Sequence, residues 1–243
     1  MLKNITKSLV KPSVAGLTQS KTSSSKLLKT KFTSSICGVF NQTRENVRFV
    51  TPGPKSLDQI LKVPLVERES PEAITRIWRE HHEMNPHILA EVVPYSQYQV
   101  LKHRSKECPM FVLPVFKNIG FQTVVLQFQT EHVLFTAMRD FKQKGEWASP
   151  QMSLSHYTEF AQNKGIVLMR GETNDTHINK AEGRDLARFM YKFYLDDNLY
   201  HTFVEVFNKE PHRFNFEELI NAVKAIKPVK QRYNPLVPPP KKK

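Results

Sequence analysis

FQTVVLQFQT, residues 121–130, is the stretch that decides the fold, because apolar and polar side chains alternate along it. Val124, Leu126 and Phe128 fall on one side of an extended chain. The other side carries Thr123, Val125, Gln127 and Gln129. A period of two residues predicts a β-strand with one buried face. Such one-sided burial is typical of antiparallel sheets.

The segments beside this strand extend the sheet. Residues 110–116 form an apolar run that contains Pro114, and a proline indicates an edge strand or a bulge, since it cannot donate to a central ladder. The turn residues 118–120 predict antiparallel pairing of 110–116 with 121–130. Residues 131–135 are a further strand candidate.

Helical patterns stand before and after these strands. Ser70 is a natural N-cap and Pro71 fits the first helical position, which predicts a helix up to Pro86 with an apolar stripe at Ile74, Ile77, Trp78 and His81. The periodicity predicts further elements: a turn at 56–61, helices at 96–104, 137–144, 180–195 and from 215, and a strand at 164–170. Residues 152–160 are ambiguous, and 199–208 fit a helix or a strand. The prediction is one α+β domain at 50–227, a mainly antiparallel central sheet flanked by helices.

Positive charge is concentrated at the two ends of the chain. The formal net charge is +13, but residues 51–223 carry 20 basic against 22 acidic side chains, a balance of −2. A domain that grips nucleic acid needs an excess of basic residues on its own surface. We therefore expect no nucleic-acid partner for the domain.

The first 49 residues have the composition of a mitochondrial transit peptide. Residues 1–44 contain no acid, eight basic residues and fourteen Ser or Thr. They lack the continuous apolar core of a secretory signal. We therefore expect 1–49 to be a disordered leader directing the protein to the mitochondrial matrix, with the cleavage position open. A disordered basic tail is the alternative.

The C-terminal tail, the two cysteines and the hydropathy of the chain each give one further expectation. Residues 228–243 contain three consecutive prolines and end in three lysines, so we expect a solvated, extended tail of open function. Cys37 and Cys108 would be separated by processing, which predicts no internal disulfide and suits a reducing compartment. No apolar run approaches the length of a membrane span, so no membrane partner is expected.

Three groups of residues contain residue types that occur in known active sites, and each group has a simpler structural interpretation. His81, His82 and His87 lack the four-residue spacing of a zincin, and Pro86 interrupts the helix between them, which favours a polar helix end. Ser153, Ser155, His156 and Glu159 lack a nucleophile elbow. Asp196 and Asp197 precede an asparagine and favour a turn. With no glycine-rich phosphate loop either, we expect no enzyme, cofactor or metal.

Several strings together carry a resemblance to a known family. They are SLDQIL at 56–61, IW at 77–78 with His81, FVLP at 111–114, YTEF at 157–160, KGIVLMRGE at 164–172, and Phe207, Asn208, Pro211, Phe214 and Phe216. Across about 56–226 the chain resembles the mitochondrial F1-ATPase assembly factors that chaperone the beta subunit. The resemblance implies transient capture of unassembled beta subunit in the matrix, with no catalysis and no cofactor. It supplies no binding residues.

Two other classes remain open, a matrix enzyme with a non-standard site and a mitochondrial RNA-binding protein. Within the assembly-factor interpretation, we expect a monomer whose exposed apolar face or edge strand in the 110–135 region contacts the partner, because Pro114 marks an edge. The alternative is that these residues all lie in the core. The contact surface and the trigger for release stay open.

Overall fold

The alternating stretch is a strand near one side of a six-stranded antiparallel sheet. The computed structural model describes residues 53–174 and 176–226, so the expected leader (1–49) and tail (228–243) lie outside the described residues. The strand order is β1-β6-β5-β4-β3-β2, which leaves β1 and β2 at the edges. The strands are β1 (Ile88–Pro94), β2 (Met110–Phe116), β3 (Phe121–Gln129), β4 (His132–Ala137), β5 (Met152–Tyr157) and β6 (Ile166–Thr173).

Helices connect and cover these strands. The longer ones are α1 (Pro71–Glu83), α2 (Tyr95–Glu107), α3 (Met138–Lys144), α4 (Lys180–Leu195), α5, which joins Asp197–Leu199, a π-helical Tyr200–Glu205 and Val206–Lys209, and α6 (Phe216–Ala225). Single turns are found at Leu57–Gln59, Val63–Val66, Gly145–Trp147 and Ala161–Lys164. None of the helices in 53–174 and 176–226 is long and apolar enough to cross a bilayer.

The predicted start of α1 is confirmed, and its inner face needs one correction. The Ser70 hydroxyl accepts from the Ala73 N–H at 3.2 Å, and Pro71 takes the first position. The fully covered side chains are Ile74, Trp78 and His82, whereas His81, predicted to face inward, is exposed. Steps of four residues keep the buried stripe on one line of the helix, so the next member after Trp78 is His82.

One face of the sheet holds the larger core. Side chains of α4 and α5 pack on the buried face of β2 and β3, where the Phe111 ring contacts those of Phe193, Phe207 and Phe214 at centroid distances of 5.4–6.4 Å. Phe111 is 0% exposed. This aromatic packing anchors β2 although it is an edge strand.

The opposite face is covered over β1, β6 and β5 by α1 and the turn at Leu57. Trp78 fills this smaller cluster at 0% exposure, and its indole N–H donates to the Met169 carbonyl at 3.1 Å. A buried indole with a satisfied donor combines apolar contact and a fixed orientation. It therefore ties α1 to the β1 side of the sheet.

Gly183 lets α4 approach the sheet closely. A Cβ at this position would lie 2.7 Å from Thr173 Cγ2 and 3.2 Å from Leu89 Cδ1, both on side chains of the sheet. Real Cβ atoms do not come nearer than about 3 Å, so a larger residue would require α4 or these side chains to shift. Within the sheet, Gly171 in β6 leaves room for Leu154, whose Cδ2 would lie 2.7 Å from a Cβ there.

Most predicted elements are confirmed, including the antiparallel pairing, the edge position of Pro114, the α+β class and the helix ended by Gly145, whose φ is 57°. The ambiguous 152–160 segment holds β5, and 199–208 is helical. The predictions missed β1, whose seven residues begin two positions after Pro86.

Candidate functional site

The three histidines considered for a metal do not form a site. His82 is buried, its Nδ1 donates to the Trp78 carbonyl at 2.9 Å, and burial lowers the pKa of its imidazole. His81 packs against the edge of the His82 ring, and His87 lies in the loop before β1. Across the part of the chain that the structure describes, no three His, Cys, Asp or Glu side chains are grouped to hold a metal ion. The arrangement matches the expected polar end of a helix.

The serine and histidine considered for a hydrolase site, Ser155 and His156, lie on opposite faces of the sheet. Nδ1 of His156 donates to the Glu131 carbonyl at 3.0 Å and Nε2 accepts from the Tyr191 hydroxyl at 2.7 Å, so both ring nitrogens are engaged. Burial lowers the pKa of His156 to about 4, which keeps the ring neutral at physiological pH. Ser155 contacts His132 instead, on the other face of β5.

The remaining members of these groups are also structural or exposed. Glu159 lies on the surface, and Ser153 lines a groove of about 370 Å³ beside β4. Asp196 caps α5 by accepting from the Leu199 N–H at 3.1 Å, as the turn interpretation requires. Asp197 forms an ion pair with Arg104. Because none of these groups converges on a cavity with a free nucleophile or base, the geometry offers no catalytic arrangement among them.

Three of the seven large apolar side chains that are exposed among the described residues lie together where β2 turns into β3. We call Phe116, Ile119 and Phe121 the hairpin end; they are 38%, 96% and 45% exposed. The Phe121 ring also contacts that of Phe216 at 5.9 Å, which extends the surface onto α6. Apolar side chains grouped on a surface indicate a binding region more strongly than scattered ones do. Of the predicted 110–135 region, this end is accessible and the strand interiors are buried.

The outer edge of β2 is closed to a further strand. Odd-numbered residues of β2 bond to β3, as shown by Phe128 N–H donating to the Pro109 carbonyl, so the even-numbered ones face outward. Asn208 on α5 takes the outward groups of Met110, donating to its carbonyl at 2.6 Å and accepting from its N–H at 3.4 Å. Pro114 has no N–H, and Val112 between them is 0% exposed.

The outer edge of β1 is open. Thr173 N–H donates to the His87 carbonyl and Tyr95 N–H to the Gly165 carbonyl, so odd-numbered residues bond to β6 and Ala90 and Val92 face outward. Ile88 and Ala90 form the floor of a groove of about 680 Å³ between α1 and α4. The sequence signal for this strand is ILAEVVP, a short apolar run that begins two residues after Pro86 and ends in Pro94.

Charged side chains border this groove, which we call the β1 groove. The wall from α1 carries Glu72, Arg76, Arg79, Glu80 and Glu83, and the wall from α4 carries Lys180 and Arg184. Arg79 pairs with Glu91 at 3.2 Å, and Lys180 donates to the carbonyls of Glu83 and Asn85. The α4 wall is therefore purely cationic, whereas the α1 wall is mixed.

The strings that carried the family resemblance fall on these same elements. YTEF and KGIVLMRGE form the β5–β6 hairpin next to β1, and Phe207, Asn208 and Phe214 pack on and close β2. The model of the family described as ATP11 protein matches residues 4–220. The chain belongs to the ATP11 protein family.

The curated relatives of this ATP11 family member are named as mitochondrial proteins. The chain is 30% identical over 167 residues to the human protein named ATP synthase mitochondrial F1 complex assembly factor 1, and 32% identical over 168 residues to its Danio rerio counterpart. These alignments cover 68% of the chain and 51% and 55% of the relatives. Schizosaccharomyces pombe protein atp11, mitochondrial, is 26% identical over 144 residues, 57% of the chain and 50% of that protein. The chain spans about half the length of the curated relatives it matches.

Proposed function

We propose that this ATP11 family member is an F1 assembly factor that binds unassembled F1-ATPase beta subunit in the mitochondrial matrix. It prevents aggregation of that subunit and releases it to the growing F1 sector, without catalysis, cofactor or nucleic acid. The names of the relatives support the F1 assembly role, and the basic, acid-free first 44 residues support the compartment. The choice of beta rests on the resemblance of the motifs.

The observation that carries this function is the hairpin end. An unassembled subunit exposes apolar surface that later meets its neighbours, and such surface aggregates unless a partner covers it. Phe116, Ile119 and Phe121 offer an apolar counterpart at the tip of a β-hairpin whose strands are fixed by a buried core. An affinity near micromolar, about −8 kcal/mol, both protects the client and permits its release.

The test is suppression of aggregation. F1 beta subunit is diluted from denaturant with and without the full chain, and light scattering is followed, with alpha subunit and an unrelated protein as other clients. We expect protection of beta that is relieved when alpha is added. Equal protection of all clients would indicate general holding, and no protection of beta would refute the proposal.

A pair of variants tests the hairpin end. Ile119→Asn and Leu65→Asn each replace an exposed apolar side chain, since these are 96% and 60% exposed, but Leu65 lies in the Val63–Val66 turn and outside the β1 groove. We expect Ile119→Asn to weaken beta binding about five- to tenfold, as for a residue near the centre of an interface. Leu65→Asn should leave it unchanged. Identical binding of both variants would exclude the hairpin end from the contact.

A further inference from the structure

The outer edge of β1 has a short set of free backbone groups in and beside the β1 groove: Ala90 lines the groove, and Val92 is the next outward residue along the edge. Ala90 and Val92 direct their N–H and C=O groups away from β6, and these groups have no partner within residues 53–174 and 176–226. The free stretch is bounded on both sides. Ile88 N–H donates to the Asn85 carbonyl at 3.4 Å, and Pro94 has no N–H. Two residues can therefore form ladder bonds to an added strand.

The edge is recessed between two helices. α1 stands on one face of the sheet beside β1 and α4 stands on the other, and both line the groove. The volume of about 680 Å³ falls within the range of about 300–1,000 Å³ found for ligand sites, so it accommodates a single extended segment. A second copy of this chain would bring its own α1 and α4 against the same walls, which disfavours pairing of β1 with β1.

The walls select the side chains of such a segment. Successive side chains of an added strand point alternately to the α1 side and the α4 side. On the α4 side they meet Lys180 and Arg184, and Arg184 has no ion-pair partner in the described chain. An acidic side chain at that position completes the pairing. The mixed α1 wall sets no such preference.

One ion pair lies across the free edge. Glu91 points to the α4 face with Leu89 and Val93, whereas Arg79 belongs to α1 on the other face, so their 3.2 Å contact passes over the backbone between Ala90 and Val92. The side chains are 30% and 46% exposed, and such pairs contribute little to stability. Such a pair hinders unspecific strand pairing without closing the edge, because it is weak enough to open.

We propose that β1 is a strand-addition site that takes an extended segment of the client subunit, with an acidic side chain facing Arg184. The identity of the client rests on the proposed function. The segment forms main-chain hydrogen bonds to Ala90 and Val92 after the Arg79–Glu91 pair has opened. This site is separate from the hairpin end, which belongs to the opposite edge strand.

The decisive variants differ in one N–H group. Val92→Pro removes the outward donor without touching the ladder to β6, and Val92→Ala keeps the donor while losing similar apolar contact. The full chain is titrated with F1 beta subunit freshly diluted from denaturant. We expect Val92→Pro to bind about tenfold more weakly than Val92→Ala, which corresponds to the loss of one hydrogen bond. Equal affinities would contradict the proposal.

Amide exchange gives a readout that needs no variant. In the ¹⁵N-labelled full chain, the amides of Ala90 and Val92 should exchange more slowly once unlabelled beta subunit is added, while those of Leu89 and Val93, already bonded to β6, should not change. Unchanged exchange at Ala90 and Val92 in a chain that binds beta would overturn strand addition and leave the proposed function intact. If the wild-type chain fails to bind beta, both proposals fall.

Two further experiments test whether the added strand is an acidic client segment or a second copy of this chain. Arg184→Glu should weaken beta binding about three- to tenfold with a loss of effect at high salt, and charge reversal at the exposed Lys106 of α2 should not. Concentration-dependent protection of Ala90 and Val92 in the chain alone would indicate pairing between copies and would contradict a client segment. A salt-independent effect of Arg184→Glu would contradict the acidic side chain.

Discussion

The two edge strands of this sheet differ in whether their outward backbone N–H and C=O groups have partners. β2 is an edge strand whose outward groups are used or removed: Asn208 binds Met110, Pro114 lacks a donor and Val112 is covered. β1 keeps two outward residues, Ala90 on the floor of the groove and Val92 beside it, whose backbone donors and acceptors have no partner among the described residues, and the Arg79–Glu91 pair lies across them. An edge that a protein closes permanently protects it from aggregation, whereas an edge left open inside walls admits selected partners.

The largest contrast is expected in the cores behind the two edges. Phe111→Ala should reduce the free energy of unfolding by about 3–5 kcal/mol, because a fully buried ring surrounded by aromatic side chains leaves a cavity. Val92→Ala on β1, where the side chain is only partly buried, should cost about 1 kcal/mol. Urea denaturation followed by circular dichroism measures both. Similar losses would mean that β1 is anchored as firmly as β2.

Acid should lower the free energy of unfolding through His156, which lies on β5 in the middle of the sheet. An unfolded histidine has a pKa near 6.5, but burial lowers the pKa of His156 to about 4. Between these values the unfolded chain binds a proton that the folded chain does not. The contribution of His156 to the free energy of unfolding is therefore complete above pH 6.5. It is lost as the pH falls towards 4, by up to about 3 kcal/mol.

His156→Gln isolates this contribution from those of other groups. The variant should be less stable at pH 7, and the difference in unfolding free energy between wild type and variant should shrink as the pH is lowered from 6.5 to 4. Denaturation curves at several pH values give this difference. A constant difference across that range would show that His156 is not held neutral.

Opening the closed edge should have an intermediate effect. Asn208→Ala removes the partner of the Met110 carbonyl and N–H, which should cost about 1–3 kcal/mol and increase self-association at high protein concentration. The exposed Asn198 at the start of α5 is the control, and its replacement by alanine should change stability by less than about 0.5 kcal/mol. Denaturation and light scattering report the two effects. An Asn208→Ala chain that stays monomeric would show that packing alone closes β2.

The smallest effect on stability is expected at the open edge. Arg79→Gln should change the free energy of unfolding by less than about 1 kcal/mol, because the pair with Glu91 is partly exposed. The same variant should bind beta subunit about two- to fivefold more tightly, since the contact across the edge no longer has to open. Lys192→Gln, which breaks an exposed pair with Asp196, should leave binding unchanged. Weaker binding by Arg79→Gln would mean that this arginine contacts the client.

Much of the fold can be predicted from local sequence pattern, but strand β1 cannot. The alternation in 121–130, the caps at Ser70 and Asn215 and the stripe along α4 all act within a few residues, so the sequence reveals them. β1 was missed because ILAEVVP is apolar on both faces and carries no alternation, as expected for a strand that lies between α1 and α4.

The site was harder to predict than the fold. Pro114 marks an edge in the sequence, and that prediction is confirmed, but whether an edge is open depends on Asn208, almost a hundred residues away. The exposure of the hairpin end could be suspected from its turn residues. Which backbone groups of Ala90 and Val92 remain free depends on the register with β6 and could not be read from either segment alone.

Gly183 connects the packing of the fold to the width of the β1 groove. Its missing side chain lets α4 rest on Thr173 and Leu89, and the next residue, Arg184, lines the groove. A methyl group at position 183 would crowd Thr173 and press that wall outward, so the width of the groove depends on a residue outside its lining. Under the strand-addition proposal, substitution of this glycine would change which strands fit while the charged walls keep their chemistry.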